Sequence, residues 1–494
     1  MGSVPPVEEH DILVLGAGLS GINTAHVLRD RMPHRQITIL EKRDQIGGTW
    51  NFFKYPGFRT DSYLNAFGLG WYPWTKPYKM ASGPEILEYL KEAVDKDGLE
   101  PLIRFKHKIT GLEFKTEEQK WTLYVDADGK PKTMRANFVV GCMGYYADNK
   151  ALEADIPGLD RFDGRVVHSQ WWPEDLDYKN KRMVLIGSGA TAITVIPELV
   201  KDAAHVVQLQ RSPSYVLSRS TQPIHDWWLH LLLPFTWACL VSRWVESVVE
   251  LLSTEFLLMC PGIGRKVLMD DMKKQLPADV DPHVHFNPSY GPFQQRLGLC
   301  PQGDYFKALH KENCEIVTDH IDTVMEDGIL LKSGRNLEAD IIVQATGLYF
   351  QLFDGIKPRV DGVEIDPGQH YSWRGMALDC MPNAAFIFGY VTSSWTPGAN
   401  AMAHMVVRLL QTMEKKGAAT VVPFIKRTKE VEAQTQLAVS ANPGYILKAA
   451  DRMPKTTGHG PWYGRKNLFV DTMALWFGSM EDGLVYGGFK DKSV

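Results

Sequence analysis

Two copies of one local pattern set the architecture of this chain. The first is HDILVLGAGLSGINTAHVL (10–28) and the second KRMVLIGSGATAITVIPEL (181–199): an apolar strand-like run, a glycine turn, then helical periodicity. Each copy is followed by another strand-like run, RQITILEK (35–42) and HVVQLQRS (205–212). Each half closes on an apolar strand ending at glycine, ANFVVGCMG (136–144) and ADIIVQATG (339–347). Strand, turn, helix and strand in that order give parallel crossovers. The expected fold is α/β, with two dinucleotide-binding (Rossmann-like) doubly wound domains.

At 494 residues the chain exceeds a single domain of roughly 150 residues about threefold. The repeats divide it into a discontinuous first domain (1–145 and 336–494) and a second domain (146–335), with a helical insertion at about 213–300. Net charge is −4 and there is no basic stripe, which argues against nucleic acid as a partner. The six cysteines are scattered without CxxC or metal-ligand spacing, as in a reduced, cytoplasmic protein. No metal is expected, because DPHVHF (281–286) reads as a solvated or packed histidine pair. The opening MGSVPPVEEHD has neither an apolar signal core nor an arginine-rich presequence. The apolar stretch 227–241 is interrupted by His230 and Pro234 and is shorter than the ~20 residues of a membrane span. It reads as a buried or substrate-lining helix, and membrane contact is not expected.

The glycines carry the chemistry. In the first loop Gly16 permits a tight turn, Gly18 lets backbone approach a pyrophosphate, and Gly21 lets helix and strand pack. The diphosphate would rest on the amides of the helix N-terminus. Glu41 ends the next strand at the spacing where a carboxylate accepts ribose hydroxyls, which suits an unphosphorylated ribose such as that of FAD. The second loop reads Gly187, Gly189, Ala192, and the position matching Glu41 is Ser212, preceded by Arg211. A guanidinium there pairs with a 2′-phosphate that a carboxylate would repel, so the second nucleotide is expected to be NADPH. The plainer readings are a solvated strand-end acid for Glu41 and a surface charge for Arg211.

FDGRVVHSQWWP (162–173) fits the FxGxxxHxxxW signature of Baeyer–Villiger monooxygenases, with Phe162, Gly164, His168, Trp172 and Pro173 in register. GGTWNFFKYPGFRTDS (47–62) resembles their flavin-binding segment, and EKRDQIGGTW, WPEDLDY, QRSPSY and ADIIVQATGL resemble the ethionamide-activating group. The resemblance covers nearly the whole chain. It implies FAD contacts at Gly16, Gly18, Ser20, Gly21, Glu41, Gly48, Thr49, Trp50, Asn51, Phe52, Arg59, Thr60, Asp61 and Ile109. It places NADP against Gly187, Ser188, Gly189, Ala190, Thr191, Ala192, Ile193, Arg211, Ser212 and Gln295, with Trp462 closing over the nicotinamide. Arg296 matches the active-site arginine, which Asp61 would orient, and His168 belongs to a hinge. Two positions depart: Gln295 stands where relatives have a lysine for the 2′-phosphate, and Asn65 where a flavin-contacting tyrosine is common.

The implied reaction is oxidation of a ketone to an ester or lactone with NADPH and O₂, through a C4a-peroxyflavin kept in a dry site. A fixed arginine suits it by stabilising the anions that form. Sulfur or nitrogen oxygenation of a small organic substrate is the alternative. The composition of 227–261 suggests that the insertion lines the entrance for larger apolar ketones. A disulfide reductase shares the two-nucleotide plan but needs a redox cysteine pair, which GGTWNFFKYPG does not have.

Overall fold

In the computed structural model, which describes residues 7–295, 297–390, 393–438, 448–464 and 467–487, the two repeats build two separate sheets. Glu8–Leu15 lies inside the first. Ile37–Leu40 pairs parallel on one side of it (Leu13↔Thr38) and Lys130–Gly141 parallel on the other (Leu13↔Val139). An antiparallel meander of His107–Lys115, Lys120–Ala127 and Lys130–Gly141 extends this sheet. Ala384–Phe386 returns late in the chain to pair with Lys130–Gly141. The second sheet is wholly parallel, in the order Cys314–Thr318, His205–Gln210, Arg182–Ile186, Ile341–Gln344, Arg165–His168. Runs such as ITIL (37–40), buried at every position, belong in parallel strands covered on both faces.

The helix Leu19–Arg31 packs on the long helix Trp395–Lys416 over one face of the first sheet, in a core with Ile12, Val14, Ile39 and Phe138. Leu13, Leu15, Trp121 and Met134 fill the core of the other face. Ala190–Leu199 does the same work for the second sheet, against Met183, Leu185 and Val343.

The pairing of Ile341–Gln344 corrects the expected boundary at 335. A cut there would also split the hairpin of Gly328–Leu331 and Asn336–Glu338, so the second body runs to about Gln344. The chain crosses between the bodies twice, and the crossings pair with each other: Tyr146–Ala151 runs antiparallel to Leu348–Phe350.

The insertion is helical, as expected, through Ile224–Leu232, Phe235–Met259 and Pro261–Lys273. It is not a buried element. Trp227, Trp228, Leu231, Trp237, Leu240 and Trp244 all face outward. Its polar side chains face inward instead: Asn65 donates to Asp226 (2.9 Å) and Ser242 (2.6 Å), and Lys79 pairs with Asp226 (3.3 Å). The departure at Asn65 thus has a structural use, as the anchor of the insertion. Among the described residues no single helix is long and apolar enough to cross a membrane.

Candidate active site

The two glycine loops open into one cavity of about 1070 Å³ between the sheets. In the first loop Gly16 has φ +105°, a conformation that L side chains rarely adopt, and a Cβ there would meet the Cys142 carbonyl oxygen at 2.7 Å. A Cβ on Gly21 would overlap the Gly16 carbonyl, so this glycine is required by helix–strand packing. Gly18 is different. Its backbone is ordinary (φ −74°), and a Cβ would meet nothing closer than Gly48 Cα at 3.6 Å. Gly189 repeats this with nothing within 4 Å. Folding does not require glycine at either position. Both line the cavity at a helix N-cap, where a ligand's phosphates can come against bare backbone.

Glu41 is 3% exposed, which removes the solvated-acid reading. Its two oxygens accept from the amides of Ala17 (2.8 Å) and Arg43 (2.9 Å), so the glycine loop and the strand end fix its orientation. Remaining lone pairs on a carboxylate held this way can accept ligand hydroxyls. Gly48, Thr49, Trp50, Phe52, Arg59, Thr60, Asp61 and Ile109 also line the cavity, as does Ser20. Arg59 pairs with Asp304 through Nη1 (2.6 Å), while its Nη2 is buried without a hydrogen-bond partner. An orphaned guanidinium donor in a cavity wall fits an anionic or carbonyl acceptor on a ligand.

On the second loop Gly187, Ser188, Gly189, Ala190, Thr191, Arg211, Ser212 and Gln295 line the cavity. The Ser188 hydroxyl donates to the Ser212 carbonyl (3.0 Å), joining loop to strand end. Arg211 is exposed and makes no ion pair with the described residues. Lys332, which no sequence motif marks, lines the same cavity; its backbone amide donates to the His320 carbonyl (2.9 Å). His320 follows the strand whose Thr318 is in register with Gln210, so this turn lies beside Arg211.

Several expected residues do not reach the cavity. Gly21, Ala192 and Ile193 sit a turn inside their helices, buried against their own strands, and Asn51 faces the Gly47 turn. Trp462 is buried in the first core beside Trp373 and Gly483. Arg296 lies outside the described residues, although its neighbours Gln295 and Leu297 both line the cavity. No residue between Ser214 and Gln295 lines it, so the insertion does not form its wall as expected.

An aromatic wall went unseen in the sequence. Trp395 stacks on Tyr145 (centroids 5.2 Å apart) and donates its indole N–H to Ser20 (2.9 Å), and Tyr390 lines the same cavity. The only sequence signal was the aromatic cluster GYVTSSW after an apolar strand.

His168 does not line the cavity. Its Nδ1 accepts from the Gln170 amide (3.1 Å), its Nε2 is buried without a partner, and burial holds its pKa below the usual range. The signature segment instead grips the inter-sheet crossing. Gln170 donates to the Ala147 carbonyl (2.8 Å), and the Trp171 indole donates to the Asp148 carbonyl (2.8 Å). From the other body, Lys42 (2.6 Å) and Arg43 (2.7 Å) hold the Asp148 carboxylate. Burial raises that carboxyl's pKa, but the Lys42 and Arg43 contacts outweigh it and leave it below the usual range. Asp148 is therefore held by both bodies at once.

Among the described residues one cluster has three metal-ligand types, His370, Asp379 and Cys380. Its carboxylate is already engaged by His370 (3.1 Å), the Tyr371 amide and Arg427 (3.2 Å).

Comparison with known proteins agrees with this geometry. Residues 9–252 match the model of the flavin-binding monooxygenase-like family. The chain is 40% identical to the probable FAD-binding monooxygenase AlmA of Acinetobacter baylyi, over 99% of this chain and 98% of that one. It is 38% identical to the FAD-containing monooxygenase EthA of Mycobacterium tuberculosis, over 96% and 97%. In fold it is similar to an oxidized steroid monooxygenase bound to NADP (TM-score 0.74, 20% identity, 97% and 100% covered). It is similar also to a polycyclic ketone monooxygenase of Thermothelomyces thermophila (TM-score 0.75, 18% identity, 99% and 91% covered). With two glycine loops on one cavity and full-length relatives at this identity, the chain belongs to the flavin-binding monooxygenase-like family, as a class B flavin-dependent monooxygenase.

Proposed function

We propose that the protein uses FAD and NADPH to insert one oxygen atom of O₂ beside a ketone carbonyl, giving an ester or lactone. The observation that carries this reading is the single cavity shared by both glycine loops, which lets two dinucleotides meet. The relatives named as FAD-binding or FAD-containing, and the NADP carried by the steroid monooxygenase, support the cofactor pair.

FAD, when bound, supplies acceptance of hydride from NADPH and activation of O₂. The chain's own residues hold, orient and keep dry. Gly18 presents backbone amides to the FAD diphosphate, and Glu41 presents its fixed carboxylate to the adenosine ribose. Gly189 does the same for the NADPH diphosphate, while Arg211, with Lys332 beside it, takes the 2′-phosphate. Tyr145, Tyr390 and Trp395 close a wall against water. Arg296, the position that matches the family's active-site arginine, would stabilise the negative charge that develops on the substrate oxygen, with Asp61 of the cavity wall to orient it; a guanidinium suits a low-dielectric site because it keeps its charge there.

The test is a panel of matched ketones and sulfides given to the flavin-loaded protein with NADPH. Esters or lactones from the ketones support the reading. Sulfoxides without any ester would replace it with heteroatom oxygenation.

A further inference from the structure

The Phe235–Met259 helix carries its polarity reversed. Ser242, Glu246, Glu250 and Thr254 recur every fourth residue and face the protein. Glu246 pairs with Arg219, Ser242 donates to Asp226 (2.8 Å), and Glu250 accepts the Ser394 amide (3.0 Å). The outward side holds Trp237, Leu240, Trp244, Val248, Leu252 and Phe256, with Trp237 61% and Leu252 62% exposed. From Ile224 to Ile263 no exposed residue is charged, and only Thr236 and Ser253 among them are polar. A second helix, Leu468–Phe477, repeats the pattern: Asp471 is 1% exposed and accepts from the Tyr390 hydroxyl (2.7 Å), while Phe469, Trp476 and Phe477 face outward. Both helices are thus tied to residues at the cavity: Asp471 holds Tyr390, which lines it, and Glu250 holds Ser394, whose neighbour Ser393 lines it.

We propose that this apolar face docks onto the surface of a phospholipid bilayer, lying in the headgroup–acyl boundary without spanning it. Three observations favour lipid over a second copy of the chain. A protein–protein interface carries about one hydrogen bond per 100–200 Å² and a polar rim, and apart from tryptophan indoles, Thr236 and Ser253 this face exposes no side chain to supply them. Its tryptophans, Trp227, Trp228, Trp237 and Trp244, have the amphipathic ring that settles at headgroup depth. The first exposed charge beyond the face is Lys266; Asp270 follows on the same helix, then Lys273 at its end and Lys274 just after it, so lysines outnumber the acid three to one where the face meets anionic headgroups. The chain turns by 112° between Phe235–Met259 and Pro261–Lys273, and that bend suits lying in the interface better than crossing it as a rod.

The test is flotation of the flavin-loaded full chain with vesicles of phosphatidylcholine and phosphatidylglycerol. The wild-type protein should float with the vesicles, and its tryptophan emission should shift to shorter wavelength. A Trp237→Glu/Leu252→Glu variant replaces two exposed side chains and should float about tenfold less or lower, with flavin absorbance and NADPH oxidation retained. A wild-type protein that stays with the soluble fraction overturns the proposal, whatever the variant does. Equal flotation of the variant overturns it too. A wild-type dimer in light scattering that the variant splits, without vesicle binding, would assign the face to a second copy instead.

Discussion

Gly18 and Gly21 share one turn, yet a side chain at each meets a different obstacle. At Gly21 the obstacle is the Gly16 carbonyl; at Gly18 it is only the space the cavity leaves. Gly18→Val should therefore give protein that melts cooperatively but purifies without the yellow of bound flavin, whereas Gly21→Val should fail to fold. Full flavin occupancy in Gly18→Val would refute the pyrophosphate assignment. On the proposed assignment to the 2′-phosphate, Arg211→Ala would remove a charge-assisted contact of about 1.5–3 kcal/mol. The NADPH KM should rise about ten- to hundredfold while the NADH KM stays put. Lys332→Ala should move the NADPH KM the same way to a lesser degree. Equal losses with both nucleotides would make these residues structural. Arg296→Ala should leave FAD bound and NADPH oxidation running while ester gives way to hydrogen peroxide, since losing one oxyanion donor costs about 10²–10³ in rate. Ester formed at near wild-type coupling would remove Arg296 from the chemistry.

At the scale of elements, the paired crossings and the clamp on them decide how the two bodies meet. Trp171 and Gln170 each hold a backbone carbonyl of Tyr146–Ala151, and neither lines the cavity. A Trp171→Phe/Gln170→Ala variant should keep its flavin and its NADPH KM but lose coupling, with more NADPH consumed per product formed. Unchanged coupling would reduce the clamp to packing. The signature motif announced a segment of importance here, but not what it grips, because Ala147 and Asp148 lie more than twenty residues upstream in an unremarkable run. The insertion was legible as helix for the ordinary reason of composition. Its orientation was not. The stripe Ser242, Glu246, Glu250, Thr254 marks a polar face, and a polar face points to water unless Asn65, Arg219 and the Ser394 amide are waiting inside to satisfy it.

For the whole molecule, the two sheets were legible because each rests on local signals: buried apolar strands and turns that need glycine at Gly16 and Gly187. The boundary near 335 was misplaced because Ile341–Gln344 joins Arg182–Ile186 across more than 150 residues of chain. The wall of Tyr145, Tyr390 and Trp395 was hidden for the same reason: it forms only when the late segment returns to the first body. On the proposed function, one cavity couples NADPH oxidation to oxygen transfer. Supplying the flavin-loaded protein with NADPH, an apolar ketone and ¹⁸O₂, and weighing the product, tests it most directly. An ester carrying a single labelled oxygen atom, formed in step with NADPH consumed, is the predicted result. NADPH consumption matched entirely by hydrogen peroxide formed from O₂ across the ketone and sulfide panels, with no label in any organic product, would contradict it.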